Sequence, residues 1–152
     1  MFDGNMAARV IEHTLTEDST LMALIEGVVE DIWGKDENAP ASAFPFIRFS
    51  IMTQSDQYYN GQAKALTNQP VLIHGVQMFD SNGSYGGTLQ TIADRIDTLL
   101  HGKTLTIYDT DDITAIGRAY VYRESPYRDR FIDGSIEYRY LGGIYQVSIN
   151  EN

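Results

Sequence analysis

The chain of 152 residues contains no cysteine, a single tryptophan and four prolines. Without thiols it cannot use disulfides, thiolate catalysis or a cysteine-type zinc site, so its stability must come from packing. Long apolar runs are missing too: stretches such as Val71 to Ile73 fall far short of the ~20 residues that span a bilayer, and no membrane partner is expected. The opening Met1-Phe2-Asp3-Gly4-Asn5 has no basic segment followed by an apolar one, which predicts no secretory signal and assembly in a cytoplasm. Positive charge is scarce, with 11 Lys and Arg against 21 Asp and Glu and a formal net charge of -10. That balance argues against a protein that gains affinity for nucleic acid by neutralising phosphates.

What remains is the composition of an ordinary folded domain, 43% hydrophobic and 21% charged. A chain of this length can bury roughly 70% of its unfolded surface around one core, and no repeat or Pro/Ser-rich linker divides it. A single domain over residues 1–152 is therefore expected. Charge is unevenly placed: residues 1–112 carry 16 acids and 6 bases, residues 113–150 carry 4 acids and 5 bases. An acidic body with a nearly neutral C-terminal third favours head-to-side association of copies.

Periodicity gives the elements. Met6, Ala7, Val10, Ile11, Thr14 and Leu15 predict a helix over about 6 to 15 with Asn5 as its cap. Ser19 is a second cap candidate, before a short turn of helix through Leu21, Leu24 and Ile25 that Gly27 can end in the left-handed conformation. A strand from Val28 to Trp33 follows. Phe46 to Ile51 alternates, with Ile47, Phe49 and Ile51 on one face. The polar segment from Gln54 to Asn68 reads as a long hairpin loop leading into a strand from Val71 to Phe79, and Asp80-Ser81-Asn82-Gly83 is a turn signal. Leu89, Ile92, Ala93, Ile96, Leu99 and Leu100 make the clearest amphipathic helix, closed by His101 and Gly102. Short strands then run through Leu105 and Ile107 and from Ile113 to Arg123, with Asp133-Gly134 as a tight turn. In the last strand the apolar set changes parity after Gly142-Gly143, from Ile136, Tyr138 and Tyr140 to Tyr145, Val147 and Ile149, which predicts a β-bulge at the two glycines.

Chemistry-bearing patterns are weak. No pair among His13, His74 and His101 has the i, i+4 spacing with which one helix face holds a metal, so no metal and no cofactor is expected. His74 reads as a partly buried strand residue, and His101 as a helix-end residue facing the last carbonyls. Asp109, Asp111 and Asp112 lack the glycine and the bidentate glutamate of a calcium loop and read as an acidic hairpin turn. Asn82 to Gly87 has neither the Gly-Lys-Ser/Thr ending of a phosphate-binding loop nor the glycine spacing of a dinucleotide site. Arg118, Tyr120, Tyr122, Arg123, Tyr127, Arg128, Arg130, Tyr138, Arg139 and Tyr140 interleave bases with aromatics, a composition that suits protein interfaces and, less well in so acidic a chain, stacked bases. Cross-strand aromatic pairs on a solvated sheet are the third reading.

The run Leu21-Met22-Ala23-Leu24-Ile25-Glu26-Gly27, then Ile32-Trp33, Ala39-Pro40 and Phe44-Pro45-Phe46-Ile47-Arg48-Phe49, resembles the opening of the phage minor tail proteins that terminate or complete the tail tube. Val76-Gln77-Met78-Phe79, the helix Leu89 to Leu100 and the closing Tyr145-Gln146-Val147-Ser148-Ile149 are similar to the rest of that pattern, so the likeness covers most of the chain. The segments 54–68 and 124–134 look longer than in the family. The resemblance implies an α+β domain, a mostly antiparallel sheet packed by two to three helices. It further implies a structural virion protein of the tail neck, not an enzyme. Copies would close into a six-fold ring on the tail tube protein, stop tube polymerisation and present a surface to the head-tail connector. Genome DNA would pass through the lumen without specific binding, and an acidic wall would offer its phosphates few cations. Tyr58, Tyr59, Tyr127, Arg128 and Arg130, in the two long segments, are the expected interface residues. The rival expectation is a small-ligand or enzymatic α+β domain with a pocket between sheet and helix, where His74 and an aspartate supply acid-base chemistry.

Overall fold

The computed structural model describes residues 5–30, 43–52, 55–59, 63–79 and 88–151. Helix α1 (Asn5–Thr16) forms where the apolar stripe predicts it, starting at the residue expected to cap it. Ala7, Val10, Ile11 and Leu15 are buried along one side. Helix α2 (Ser19–Met22) is capped by Asp18 and not by Ser19: the Asp18 carboxylate accepts from the Leu21 N–H at 2.8 Å. It ends at Ala23 in right-handed conformation, so Gly27 is not its stop. Helix α3 (Thr88–Leu100) buries Leu89, Ile92, Ile96 and Leu100, and Gly102 turns the chain out of it at φ 72°. Each such aliphatic side chain contributes roughly 1.5–3 kcal/mol on burial.

Among the described residues seven strands join one sheet: β1 (Val28–Glu30), β2 (Phe46–Ile51), β3 (Ser55–Tyr59), β4 (Ala63–Phe79), β5 (Lys103–Tyr108), β6 (Ala115–Asp133) and β7 (Ile136–Glu151). The order is β1-β2-β4-β7-β6-β5. Strand β4 is long enough to use one edge twice. It pairs with β7 along residues 67–79, while its other edge takes β3 against 63–68 and β2 against 71–76. Strand β1 runs parallel to β2, fixed where the Glu26 N–H donates to the Pro45 carbonyl at 2.8 Å and the Ile47 N–H to the Gly27 carbonyl at 3.0 Å.

The fold class expected from sequence is therefore corrected. The molecule is mostly sheet, and that sheet is a curled, mixed half-barrel accompanied by three helices, where a mostly antiparallel sheet packed by helices was expected. Two misread segments account for most of the difference. Residues 55–59 and 63–68 form the β3–β4 hairpin where a long loop was expected. Residues 124–133 continue β6 against β7 down to the Asp133-Gly134 turn. Backbone pairing satisfies these polar stretches without an apolar face, and so periodicity does not reveal them. The remaining difference is β1, whose parallel register with β2 no tight turn can produce. Trp33, expected in that strand, and the 80–83 turn lie outside the described residues.

Two apolar clusters occupy opposite faces of the sheet. The larger lies under the helices and joins Ile47, Phe49, Val71, Ile73, Tyr145, Val147 and Ile149 to α1, α2 and α3. The smaller comprises Phe44, Phe46, Val76, Tyr138 and Tyr140 on the other face. This explains the parity change in β7 without the expected bulge: Tyr138 and Tyr140 belong to one cluster, Tyr145 onward to the other. The β4–β7 ladder runs through Gly142 and Gly143 without a shift, and the irregularity lies in β6 between Arg123 and Ser125. Gly142 is required for another reason. A Cβ there would overlap the Ile73 carbonyl oxygen and the His74 backbone.

Candidate functional site

The helix-bearing face is fixed by side chains that reach across elements. Arg95 of α3 grips Asp18 with Nε at 2.8 Å and Nη2 at 2.7 Å, a bidentate pair that ties α2 to α3 and holds the Asp18 carboxyl below its ordinary range. Tyr145 donates to Asp97 at 3.0 Å, and Arg123 stands 3.6 Å from the same carboxylate, so α3 is anchored on β6 and β7 together. Burial, reinforced by Asp97, raises the Tyr145 hydroxyl well above the ordinary phenol range and keeps it a donor. His101 does not face the last helix carbonyls; its Nδ1 accepts from the Arg123 N–H at 2.9 Å. This leaves the final turn of α3 stitched to the middle of β6.

Beyond that point β6 and β7 continue as a ribbon, and the helix no longer covers them. Side chains alternate across a strand, so Arg128 and Arg130 of β6 share a face with Arg139 and Leu141 of β7, their cross-strand partners being Arg128↔Leu141 and Arg130↔Arg139. These residues, with Phe79, Leu89, Asp129 and Tyr140, line a groove of about 550 Å³ between the start of α3 and the ribbon. Phe79 and Leu89 supply an apolar floor, and the Arg139 guanidinium lies over the Phe79 ring at 5.2 Å. Glu137 stands between the cations, 3.0 Å from Arg139 Nε and 3.5 Å from Arg130 Nε. Among the described residues, the guanidiniums of Arg128, Arg130 and Arg139 outnumber the carboxylates beside them, Glu137 between Arg130 and Arg139 and Asp129 at the rim, where it accepts from the Tyr127 hydroxyl. Like charges held side by side in this way invite a negatively charged occupant.

The opposite face is aromatic. His74, 1% exposed, is flanked by Tyr127 and Tyr140, each with its ring 5.3 Å away, and Arg48 lies over the Tyr140 ring at the same distance. Burial lowers the His74 pKa to about 4, and the Arg48 charge acts in the same direction. The imidazole is thus neutral at pH 7, with Nδ1 3.4 Å from the Gly75 carbonyl. His74 and the arginine groove are on opposite faces. The adjacent Gly75 faces α3, where a Cβ would meet Leu89 at 2.9 Å and Ile92 at 3.1 Å.

The five expected interface residues therefore do not form one patch. Tyr58 and Tyr59 are strand residues of β3, paired with Lys64 and Ala63 at one end of the sheet. Tyr127, Arg128 and Arg130 belong to β6 at the other end, and Tyr127 points to the His74 face while the two arginines point to the groove. Tyr120 and Tyr122 stand exposed on the aromatic side of β6 with rings 6.1 Å apart. Arg139, one of the interleaved bases and aromatics but not one of the five expected interface residues, also lines the groove. The signal was available, because counting three residues back and three forward from the Asp133↔Ile136 pair sets Arg130 against Arg139.

The acidic segment is a turn, as expected. Asp111 accepts from the Ile113 N–H at 2.9 Å, the Thr114 N–H at 2.8 Å and the Thr114 hydroxyl, which lowers its pKa, and Asp112 takes a positive φ of 58°. Among the described residues no group of three His, Asp or Glu could hold a metal ion, and no helix is long and apolar enough to cross a membrane. The glycine-rich 82–87 segment lies outside the described residues.

No protein-family pattern and no curated protein matches this sequence. Among solved structures, a chain of the "Virion of native gene transfer agent (GTA) particle" shares the fold, with a TM-score of 0.56 and 14% identity over 99% of this chain and 100% of that one. The likeness at that identity is one of architecture: the curled mixed sheet with its helices is a fold also found in a virion component.

Proposed function

We propose that this chain is a structural subunit of a phage-type virion. Its copies close into a six-fold ring at the head-proximal end of the tail tube, where the ring stops tube polymerisation and offers the joining surface to the head-tail connector. The observation that carries this reading is the end-to-end likeness of fold to a chain of a gene transfer agent virion. The sequence resemblance to tail-terminating proteins gives it direction. In this reading the partners are further copies, the tail tube protein and the connector. The protein resides in the virion neck after assembly in the host cytoplasm, DNA passes through the lumen without specific contacts, and no side chain turns over a substrate.

Two features support surfaces over catalysis. The acidic turn 109–112 and the Arg128–Arg130 groove are two different surfaces of opposite charge, the kind of pair a heterologous contact joins. His74, the acid-base group a catalytic reading needs, is buried among aromatics on the sheet face opposite the groove. The decisive experiment is electron microscopy of particles assembled without this chain. Tails of uncontrolled length, or heads without joined tails, are expected; joined tails of normal length would exclude the role.

A further inference from the structure

The arginine groove and the acidic turn stand at opposite ends of one strand. The turn Asp109 to Thr114 leads directly into β6, and Arg128 lies thirteen residues beyond Ala115. At ~3.3 Å per residue that is about 40 Å, so the two features cannot meet within one chain. They are chemically matched. The turn presents Asp109 and Asp112 beside Ile113, which is 80% exposed, the most exposed large apolar side chain among the described residues. The groove presents Arg128, Arg130 and Arg139 around Phe79 and Leu89. A turn carrying carboxylates and one aliphatic tip fits a slot with cationic walls and an apolar floor, and a volume of about 550 Å³ is in the range of sites that enclose several residues' worth of side chain. The turn is also held in one shape by the Asp111 bonds to Ile113 and Thr114, which lowers the entropy lost on docking.

We infer that the Asp109–Ile113 turn of one copy docks in the arginine groove of the next copy, with Ile113 on Phe79 and Leu89 and the Asp109 and Asp112 carboxylates on Arg128 and Arg130. The contact is heterologous: each copy offers a turn at one end and a groove at the other, so repetition gives a ring or a filament and not a two-fold dimer. This deepens the ring reading above and names the contact that would close it.

A charge-swap experiment tests it. One variant reverses the groove (Arg128→Glu with Arg130→Glu) and the other the turn (Asp109→Lys with Asp112→Lys); all four positions are exposed. Self-association is followed by sedimentation velocity. Each variant alone is expected to associate about tenfold or more weakly than the unaltered chain. An equimolar mixture is expected to regain association, because every turn then meets a groove of opposite charge when the two variants alternate. A loss of folding in either variant would not give that rescue. If the unaltered chain assembles and both variants assemble equally well, this contact is wrong and the ring reading stands. If neither the unaltered chain nor the mixture associates at any concentration, the turn-in-groove contact is overturned, and the ring reading is decided separately by the particles assembled without this chain. Retention of the unaltered chain on random-sequence duplex DNA at physiological salt, lost in the groove variant, would assign the groove to phosphate and overturn the proposal.

Discussion

The two halves of β6 share one hydrogen-bonded ladder with β7 but have different neighbours. From Ala115 to Arg123 the strand is backed by helices and alternates regularly, burying Gly117, Ala119 and Val121 while Arg118, Tyr120 and Tyr122 face out. From Glu124 to Asp133 no position is fully buried, and Phe131 and Ile132 stand 44% and 56% exposed. The bulge between Arg123 and Ser125 marks the change. One half of the strand is core and the other is surface held in shape by a partner strand. The β6 strand of this ribbon spends little apolar area on stability, while its partner β7 still buries Tyr138 and Tyr140.

The junction is where the comparison is most easily broken. Gly142 pairs with Tyr127 and with His74, and a Cβ there would run into backbone atoms of Ile73 and His74, which cannot rotate away. Gly142→Ala is expected to cost about 3 kcal/mol or more, the upper end of overpacking effects. The measurement is the urea midpoint at unchanged slope. A loss under about 1 kcal/mol would mean that β4 and β7 can part at this point without cost, and that the projecting half is not fixed by the packed one.

The same contrast explains what could be read from the sequence. Where burial is one-sided, the pattern is legible. The stripe Leu89, Ile92, Ile96 and Leu100 gave α3 nearly to the residue, and Ile47 and Phe49 gave the core face of β2. Where both faces of a strand are buried, or neither is, alternation carries no message. Phe46 is buried on the face opposite Ile47, residues 124–133 have no buried side to show, and the β7 parity change marks a change of cluster, which has the same pattern as a bulge. The groove needed information of another kind: its three arginines come together only through hairpin register, and its floor only through α3 crossing Gly75. The Asp18–Arg95 pair spans 77 residues and has no local signal at all.

A smaller effect sharpens the contrast at Tyr127. Tyr127 is the residue of the projecting half that packs on His74, and together with Tyr140 it keeps the imidazole out of water. The folded pKa of about 4 lies below the ordinary 6.5, so between those values the unfolded chain binds more protons than the folded one. Stability from the neutral imidazole is therefore full above about pH 6.5 and is lost as pH falls toward 4. From pH 7 to pH 5 this group should remove about 2 kcal/mol. His74→Leu removes the titrating group, and the difference between the pH slopes of the two proteins in urea isolates its share. Equal slopes would show that water reaches the imidazole and that Tyr127 does not close over it.

The smallest expected effect is also the most direct comparison of the two halves. Val121 is fully buried in the packed half. Val121→Ala removes two methyl groups, each worth ~0.8 kcal/mol, and leaves a small cavity, so about 2 kcal/mol should be lost. Ile132→Ser in the projecting half takes away a larger apolar side chain, yet one already more than half in water, and should change stability by under about 0.5 kcal/mol. Both values come from chemical denaturation of the isolated chain. If Ile132→Ser proves as costly as Val121→Ala, the projecting half is covered in solution by something the monomer does not contain. Repeating the measurement across protein concentrations then tells whether that cover is a second copy, because stability supplied by association rises with concentration whereas stability supplied within one chain does not.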